Sequence, residues 1–471
     1  MHYISTRGTA SALGFDDVLL AGLASDGGLY LPQTWPKIES DTLRSWRGLS
    51  YSDLAIRVIE PFIAGSQLEP KFSQLVQKAY AGFNHPAVTP LTQLESNLWL
   101  LELFHGPTFA FKDIALQLLG QLLDQLLQSR GQTATIIGAT SGDTGSAAIE
   151  ACRDREALQA FILYPHDRIS DVQRRQMTTV ASSNIHVLAI DGTFDDCQNL
   201  IKALFADQAF RQKANPTAVN SINWARIMAQ TVYYIAAAIA LGAPDRSVSF
   251  AVPTGNFGNV FAAYAAKRMG IPIDQLIIGS NRNDVLPRFF ASGTLAATTT
   301  VPTLSPSMDI QISSNFERFL FDLWDRNGKA LSTAMAEFQK THQLSISTPA
   351  ATMARKQFTA LAFDDEQTLA TIKKWYQDIG LVLDPHSAIG VAAAERVRAK
   401  TPCIALATAH PAKFPEAIRR AIGTTPKIPE HLEAIMTKPE RLTRLPNHFD
   451  TVRAHILSLI NPPHRKTQIA R

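Results

Sequence analysis

Runs of apolar residues of strand length recur along the chain, each followed by a polar loop and then by a segment with helical spacing. The runs lie at 98–104, 133–138, 161–164, 185–190, 247–252, 273–279 and 403–408. Helix-spaced segments follow at 114–129, from about 146, and through the alanine-rich stretch that ends near Gly270. A strand that is apolar on both faces has to be covered on both, so the alternation predicts a largely parallel α/β sheet. It also predicts where a ligand would sit, because open α/β sheets bind ligands at the carboxyl ends of their strands. Upstream, 54–62 and 72–83 carry helical spacing, and Asp26-Gly27-Gly28-Leu29-Tyr30-Leu31-Pro32 reads as a turn into a short strand. Four segments are expected: a mostly helical region over 1–92, a smaller α/β domain over 93–215, a larger one over 216–425 and a helical extension over 426–471.

With 471 residues, 46% of them hydrophobic and 18% charged, the chain can bury a sizeable core. The net charge of +4 comes from lysines and arginines scattered among acids, which is not the footprint of a nucleic-acid binder. No window reaches the roughly eighteen consecutive apolar residues of a membrane span. Residues 1–8 lack the basic-then-apolar pattern of a secretory leader. Cys152, Cys197 and Cys403 show no CxxC spacing, which predicts free thiols, no metal site and a reducing compartment, the cytoplasm.

Three loops placed after strands carry the chemistry. In His105-Gly106-Pro107-Thr108-Phe109-Ala110-Phe111-Lys112-Asp113, Lys112 lies among Phe104, Phe109 and Phe111. An amine in apolar surroundings loses part of its preference for the charged form and becomes a usable nucleophile for a Schiff base. A snorkelling lysine at a helix start fits the same window. Thr254-Gly255-Asn256-Phe257-Gly258-Asn259 joins a strand to a helix, and its glycines and N–H groups make either a phosphate cradle or a structural turn. It is neither a P-loop nor a dinucleotide fingerprint, since Gly-Lys-Ser/Thr and GxGxxG are both missing from it. Thr140-Ser141-Gly142-Asp143-Thr144-Gly145-Ser146 opens a helix, where a carboxylate would be stabilised or a hydroxyl would simply cap.

Lesser signals surround these loops. Thr408, in Ala407-Thr408-Ala409-His410-Pro411-Ala412-Lys413, sets a hydroxyl after the last strand, suited to a ring nitrogen or to a turn. Arg226 follows the amides of Asn220-Ser221-Ile222-Asn223, as an oxyanion pocket would require. Asp384-Pro385-His386-Ser387 pairs a histidine with an aspartate that can orient it. Residues 308–318 are dense in polar groups to which chemistry alone assigns no role. Taken together, an apolar-flanked lysine, a phosphate loop and a carboxylate loop are what a pyridoxal-phosphate (PLP) enzyme needs.

These motifs resemble the threonine synthase family, in its longer bacterial and fungal branch, over nearly the whole chain. Besides the three loops, the resemblance rests on Tyr3-Ile4-Ser5-Thr6-Arg7-Gly8, Ser25-Asp26-Gly27-Gly28-Leu29-Tyr30 and Asn220-Ser221-Ile222-Asn223-Trp224-Ala225-Arg226. Ser314-Asn315-Phe316-Glu317-Arg318, Asp384-Pro385-His386 and Thr408-Ala409-His410-Pro411-Ala412-Lys413-Phe414 add to it. It implies the fold type II PLP architecture (tryptophan synthase β-like), with two α/β domains, the cofactor in their cleft and an N-terminal helical addition. It implies Lys112 as the Schiff-base lysine and proton carrier. Gly255, Asn256, Phe257 and Asn259 would hold the cofactor phosphate, and Thr408 the pyridine nitrogen. Ser141, Gly142, Asp143 and Thr144 would hold the substrate carboxylate or its neighbours. Asp143 stands where many such enzymes carry an asparagine against the cofactor's phenolic oxygen.

The implied reaction turns O-phospho-L-homoserine and water into L-threonine and phosphate, with Ser221, Asn223 and Arg226 as candidates for gripping the substrate phosphate. Its alternatives are a phospho-lyase releasing 2-oxobutyrate and a silent homologue on the same fold. The expected partner is a small molecule, with no nucleic acid, membrane or metal, and either a monomer or a homodimer is compatible with the sequence.

Overall fold

The computed structural model describes residues 1–140, 142–217 and 220–460. Two compact units divide the chain: Met1–Leu118 with Asn220–Glu430, and Leu119–Val219 with His431–Arg471. Both are discontinuous in sequence. The first ninety residues are therefore compact with the larger α/β part, where a separate helical segment was expected.

The first unit is built on a six-stranded sheet in the order Phe358–Ala362, Ile273–Ser280, Val248–Pro253, Cys403–Ala407, Leu98–Glu102, Leu91–Glu95. All neighbours pair in parallel except Leu91–Glu95, which closes one edge antiparallel to Leu98–Glu102. Strand Val248–Pro253 is buried at every residue, as its two-faced apolar run requires. Helices Asp365–Ile379 and Pro385–Val397 lay Ile372, Trp375, Ile389 and Val391 against Leu98, Leu100, Ala251, Ile277 and Ala405. Each large apolar side chain so buried contributes about 1.5–3 kcal/mol. At the N-terminus, Tyr3–Ser5 pairs antiparallel with Tyr30–Pro32, and the Tyr3 hydroxyl donates to the Phe62 carbonyl at 2.6 Å.

The second unit is an all-parallel sheet in the order Thr443–Pro446, Ile185–Asp191, Leu158–Pro165, Ala134–Ala139, Pro216–Thr217. Helices Phe194–Ala206 and Phe449–Leu459 set Cys197, Leu200, Leu204, Val452 and Ile456 on Phe161, Leu163 and Leu188. The C-terminal segment is thus more than the helical extension expected, because Thr443–Pro446 supplies an edge strand. Its residues alternate between half-buried and exposed, so no apolar run announces it, and Pro446 stands at an edge where a missing N–H costs nothing. Strands Leu91–Glu95 and Phe358–Ala362, also without a clear sequence signal, are likewise edges.

Among the described residues no helix is long and apolar enough to cross a membrane, and no cluster of three or more His, Cys, Asp or Glu is placed to hold a metal.

Candidate active site

Three adjacent parallel strands of the first unit, Val248–Pro253, Cys403–Ala407 and Leu98–Glu102, release their loops on one side of the sheet. The loops after the last two zip together. Leu103 N–H donates to Ala407 O at 2.9 Å, Phe111 N–H to Thr408 O at 2.9 Å, and His410 N–H to Phe109 O at 3.0 Å. The zip brings Lys112, first residue of helix Lys112–Ser129, one residue past the rung on Thr408. Lys112 is half-buried, with its Nζ 5.3 Å from the centre of the Phe111 ring.

Thr408 is set from behind. Its N–H donates to Ser387 Oγ at 3.0 Å, and the Ser387 hydroxyl in turn donates to Asp384. Asp384 also pairs with His386 Nδ1 at 2.8 Å, while Ser307 N–H donates to His386 Nε2 at 3.2 Å. Nε2 therefore accepts and Nδ1 carries the proton. His386 is a brace with both nitrogens engaged, not a proton carrier.

Beneath Lys112, the fully buried Asp113 accepts from Thr108 N–H at 2.8 Å and from the Thr108 hydroxyl at 2.6 Å. Burial pushes its carboxyl up to about 6, against the pull of the Thr108 hydrogen bonds and the Lys413 charge. Lys413, itself fully buried, donates to Thr108 O at 2.7 Å.

His410 packs against Phe104 and Phe109 at 5.5 and 5.8 Å between ring centres. Burial pushes its imidazole down to about 4; Asp384 and Glu102 pull it up, and His105 and Lys413 push it down. A depressed histidine makes the folded state bind fewer protons than the unfolded chain, so stability is complete above about 6.5 and is lost as pH falls toward 4. The loss is about 3 kcal/mol. His410→Asn is expected to remove that dependence, measured as a shallower acid limb in denaturant unfolding from pH 7 to 4. An unchanged limb would assign the acid sensitivity elsewhere.

The loop after Val248–Pro253 is shaped by close approach. A Cβ on Gly255 would stand 3.0 Å from Met308 Cα and 3.0 Å from Ser307 O, so only glycine lets this turn lie there. Phe257 takes φ +68° and starts helix Gly258–Arg268. Its ring is fully buried, 5.0 Å from Phe316 and 5.3 Å from Phe358, so Phe257 offers a ligand only its backbone. Asn256 Oδ1 accepts Gly258 N–H at 3.1 Å, and its Nδ2 donates to Ser221 Oγ at 2.7 Å. Asn315 Nδ2 donates to the same Ser221 oxygen at 3.1 Å, Asn315 N–H to Asn256 O at 3.1 Å, and Ser313 Oγ to Gly255 O at 2.6 Å. The polar stretch 308–318, mute in the sequence, is thus the outer wall of the cradle.

Asn259 fits an anion differently. Its Oδ1 accepts from the hydroxyls of Tyr233 and Tyr234, while its Nδ2, in a side chain only 7% exposed, has no partner among the described residues. An orphaned amide donor beside a glycine turn at a helix start suits a phosphate.

The expected grip on the substrate phosphate separates into unlike roles. Ser221 Oγ accepts from Asn256 and Asn315, which leaves its own proton to donate. Asn223 is only 1% exposed; it caps helix Trp224–Ala240 through Ala225 N–H at 3.0 Å and donates to Leu19 O at 2.8 Å. It therefore belongs to the fold and not to a ligand surface. Arg226 is 4% exposed, and burial pushes its guanidinium down to about 10, so it stays charged.

In the second unit, strand Ala134–Ala139 leads to helix Asp143–Cys152. Thr140 Oγ1 accepts from Gly142 N–H at 3.0 Å and from Gly145 N–H at 2.9 Å. Those two donors close the turn itself, which corrects the expectation that Gly142 reaches a ligand through its N–H. Gly142 has φ +150°, and a Cβ there would stand 2.4 Å from Gln173 Nε2. That amide donates to the buried Asp143 Oδ1 at 3.1 Å. Ser141 lies outside the described residues. Thr140 and Gln173 carry no catalytic signature in the sequence, although a Thr two residues before a glycine turn is a recognisable loop cap.

Three family models match the chain. They are described as Threonine synthase N terminus over residues 2–80, Pyridoxal-phosphate dependent enzyme over 83–340, and Threonine synthase, C-terminal, over 387–456. A threonine synthase of Pseudomonas aeruginosa is 55% identical over 459 residues, which is 97% of this chain and 98% of the relative. The crystal structure of PLP-bound threonine synthase from Brucella melitensis matches with a TM-score of 0.96 at 50% identity, covering 98% of this chain and 99% of that one. Yeast threonine synthase matches with a TM-score of 0.93 at 39% identity, covering 97% and 98%.

Proposed function

The chain belongs to the threonine synthase family, and from that premise we propose how its residues share the conversion of O-phospho-L-homoserine and water to L-threonine and phosphate. Its fold is that of the fold type II PLP enzymes, and PLP is its cofactor. When bound, PLP supplies an aldehyde that links to amines and a ring that accommodates the electron pair of a deprotonated carbon.

Lys112 Nζ anchors the cofactor and then carries the proton of the substrate Cα. The observation that carries this assignment is the zip that sets Lys112 beside Thr408, one strand away from the Gly255 cradle. Thr408, held by Ser387, offers the pyridine nitrogen a neutral hydroxyl, so it does not enforce protonation there as a carboxylate would. The N–H groups of Gly255, Asn256 and Phe257 and the Nδ2 of Asn259 take the cofactor phosphate. Ser221 donates to the substrate phosphate, and Arg226 adds a buried positive charge behind it. The start of helix Asp143–Cys152, with Ser141 and Thr144, takes the substrate carboxylate. The three cysteines are buried and free, which supports a reducing, cytoplasmic setting.

Incubation of the purified holoenzyme with O-phospho-L-homoserine is expected to yield threonine and phosphate in equal amounts. Release of 2-oxobutyrate and ammonia in place of threonine would assign the chain to phospho-lyase chemistry.

A further inference from the structure

Helix Trp224–Ala240 carries two adjacent tyrosines, both fully buried, whose hydroxyls converge on one side chain. Tyr233 Oη donates to Asn259 Oδ1; Tyr234 Oη donates to the same oxygen at 2.7 Å and to the Asn259 carbonyl at 3.0 Å. The rings lie 4.7 Å apart, and Tyr234 meets Phe250 edge-on at 4.8 Å. Phenylalanine would fill the same volume, so the hydroxyls are what this apolar site has retained at a desolvation cost. Burial drives both phenols well above their ordinary range, so both remain proton donors. Two donors on one side of a carboxamide select its oxygen, and the other end is then fixed as the NH2 group. That Nδ2 is buried and has no partner among the described residues. A native fold seldom leaves such a donor empty without a use for it.

We propose that Tyr233 and Tyr234 are positioning residues for the cofactor phosphate: their hydroxyls lock the Asn259 carboxamide so that Nδ2 faces the phosphate as a fixed donor. This rests on the reading that residues 255–259 hold that phosphate. Neither tyrosine touches the cofactor itself.

The test compares binding of PLP and of pyridoxal, which lacks the phosphate, to full-length apoenzyme by fluorescence titration. Asn259→Ala is expected to weaken PLP about tenfold, the value of one charge-assisted hydrogen bond, and to leave pyridoxal within about twofold. Tyr233→Phe is expected to do the same, and the double variant to be no worse than Asn259→Ala alone. Tyr234→Phe carries the same expectation and serves if Tyr233→Phe does not fold. If the tyrosine variants weaken both ligands equally, or leave PLP untouched while Asn259→Ala discriminates, the tyrosine proposal is overturned and the phosphate loop stands. If Asn259→Ala itself fails to discriminate, Nδ2 does not meet the phosphate and the proposal falls, while the loop reading falls only if the wild type also binds PLP no more tightly than pyridoxal.

Discussion

Lys112→Ala is expected to give a folded protein whose turnover is lower by at least about a thousandfold, the range of a lost acid–base group before the lost anchor is counted. Folding should survive because Lys112 is not a core residue. It is half-buried at the first position of its helix, and the turn beneath it is held by Asp113 and Thr108. The same variant separates Lys112 from its nearest competitor. Lys413 lies on the partner strand's loop but is fully buried, with its ammonium on the Thr108 carbonyl at 2.7 Å. Borohydride reduction followed by mass spectrometry should find the pyridoxyl group on Lys112 in the wild type and on no lysine in Lys112→Ala. Trapping on Lys413 would refute the assignment. Added methylamine should return part of the lost rate, since a small amine can take over proton transfer at the vacated position.

What the sequence made legible follows a physical line. Strands covered on both faces announce themselves, because the apolar runs of Val248–Pro253 and Ile273–Ser280 leave few positions facing water. The edge strands Leu91–Glu95, Phe358–Ala362 and Thr443–Pro446, apart from the buried Phe358, mix half-buried and exposed positions and look like loops. The same divide runs through the site. Lys112 was noticeable in the sequence because aromatic residues flank it, and the Gly255 loop because its turn has no room for a Cβ. Asn315, Arg318 and Lys413 were not, because their partners lie far away along the chain. Asn315 reaches Ser221 across 94 residues, Arg318 reaches Ile222 across 96, and Lys413 reaches Thr108 across 305. Asn223 shows the reverse error. It sits inside a site motif yet caps a helix, since a motif residue can serve the loop's shape without meeting the ligand.

Arg318 shows how much of the cradle hangs on one such residue. It is fully buried, its Nε donates to Tyr30 O at 3.1 Å, and its two amino groups reach Ser221 O at 3.4 Å and Ile222 O at 2.5 Å. It also donates to the Asn315 carboxamide. Burial pushes its guanidinium down to about 9, with the Glu317 carboxylate pulling the other way, so the group stays charged at neutral pH. Glu317 is engaged in turn by Arg7 at 3.2 Å and by the Thr6 hydroxyl at 2.5 Å. One planar fork thus joins the N-terminal strand, the segment bearing Ser221 and the wall bearing Asn315. Arg318→Ala strips four acceptors of their donor and opens a cavity, an expected loss of about 3–5 kcal/mol. Arg318→Lys keeps the charge but cannot reach four acceptors in that plane, so it should recover only part. Because Ser221 and Asn315 are what Asn256 leans on, PLP affinity should fall along with stability in both variants. Denaturant unfolding of the apoenzyme reads the first effect and PLP titration the second. A loss below about 1 kcal/mol in Arg318→Ala, the scale of an exposed ion pair, would mean that the three segments are held together by something other than this fork.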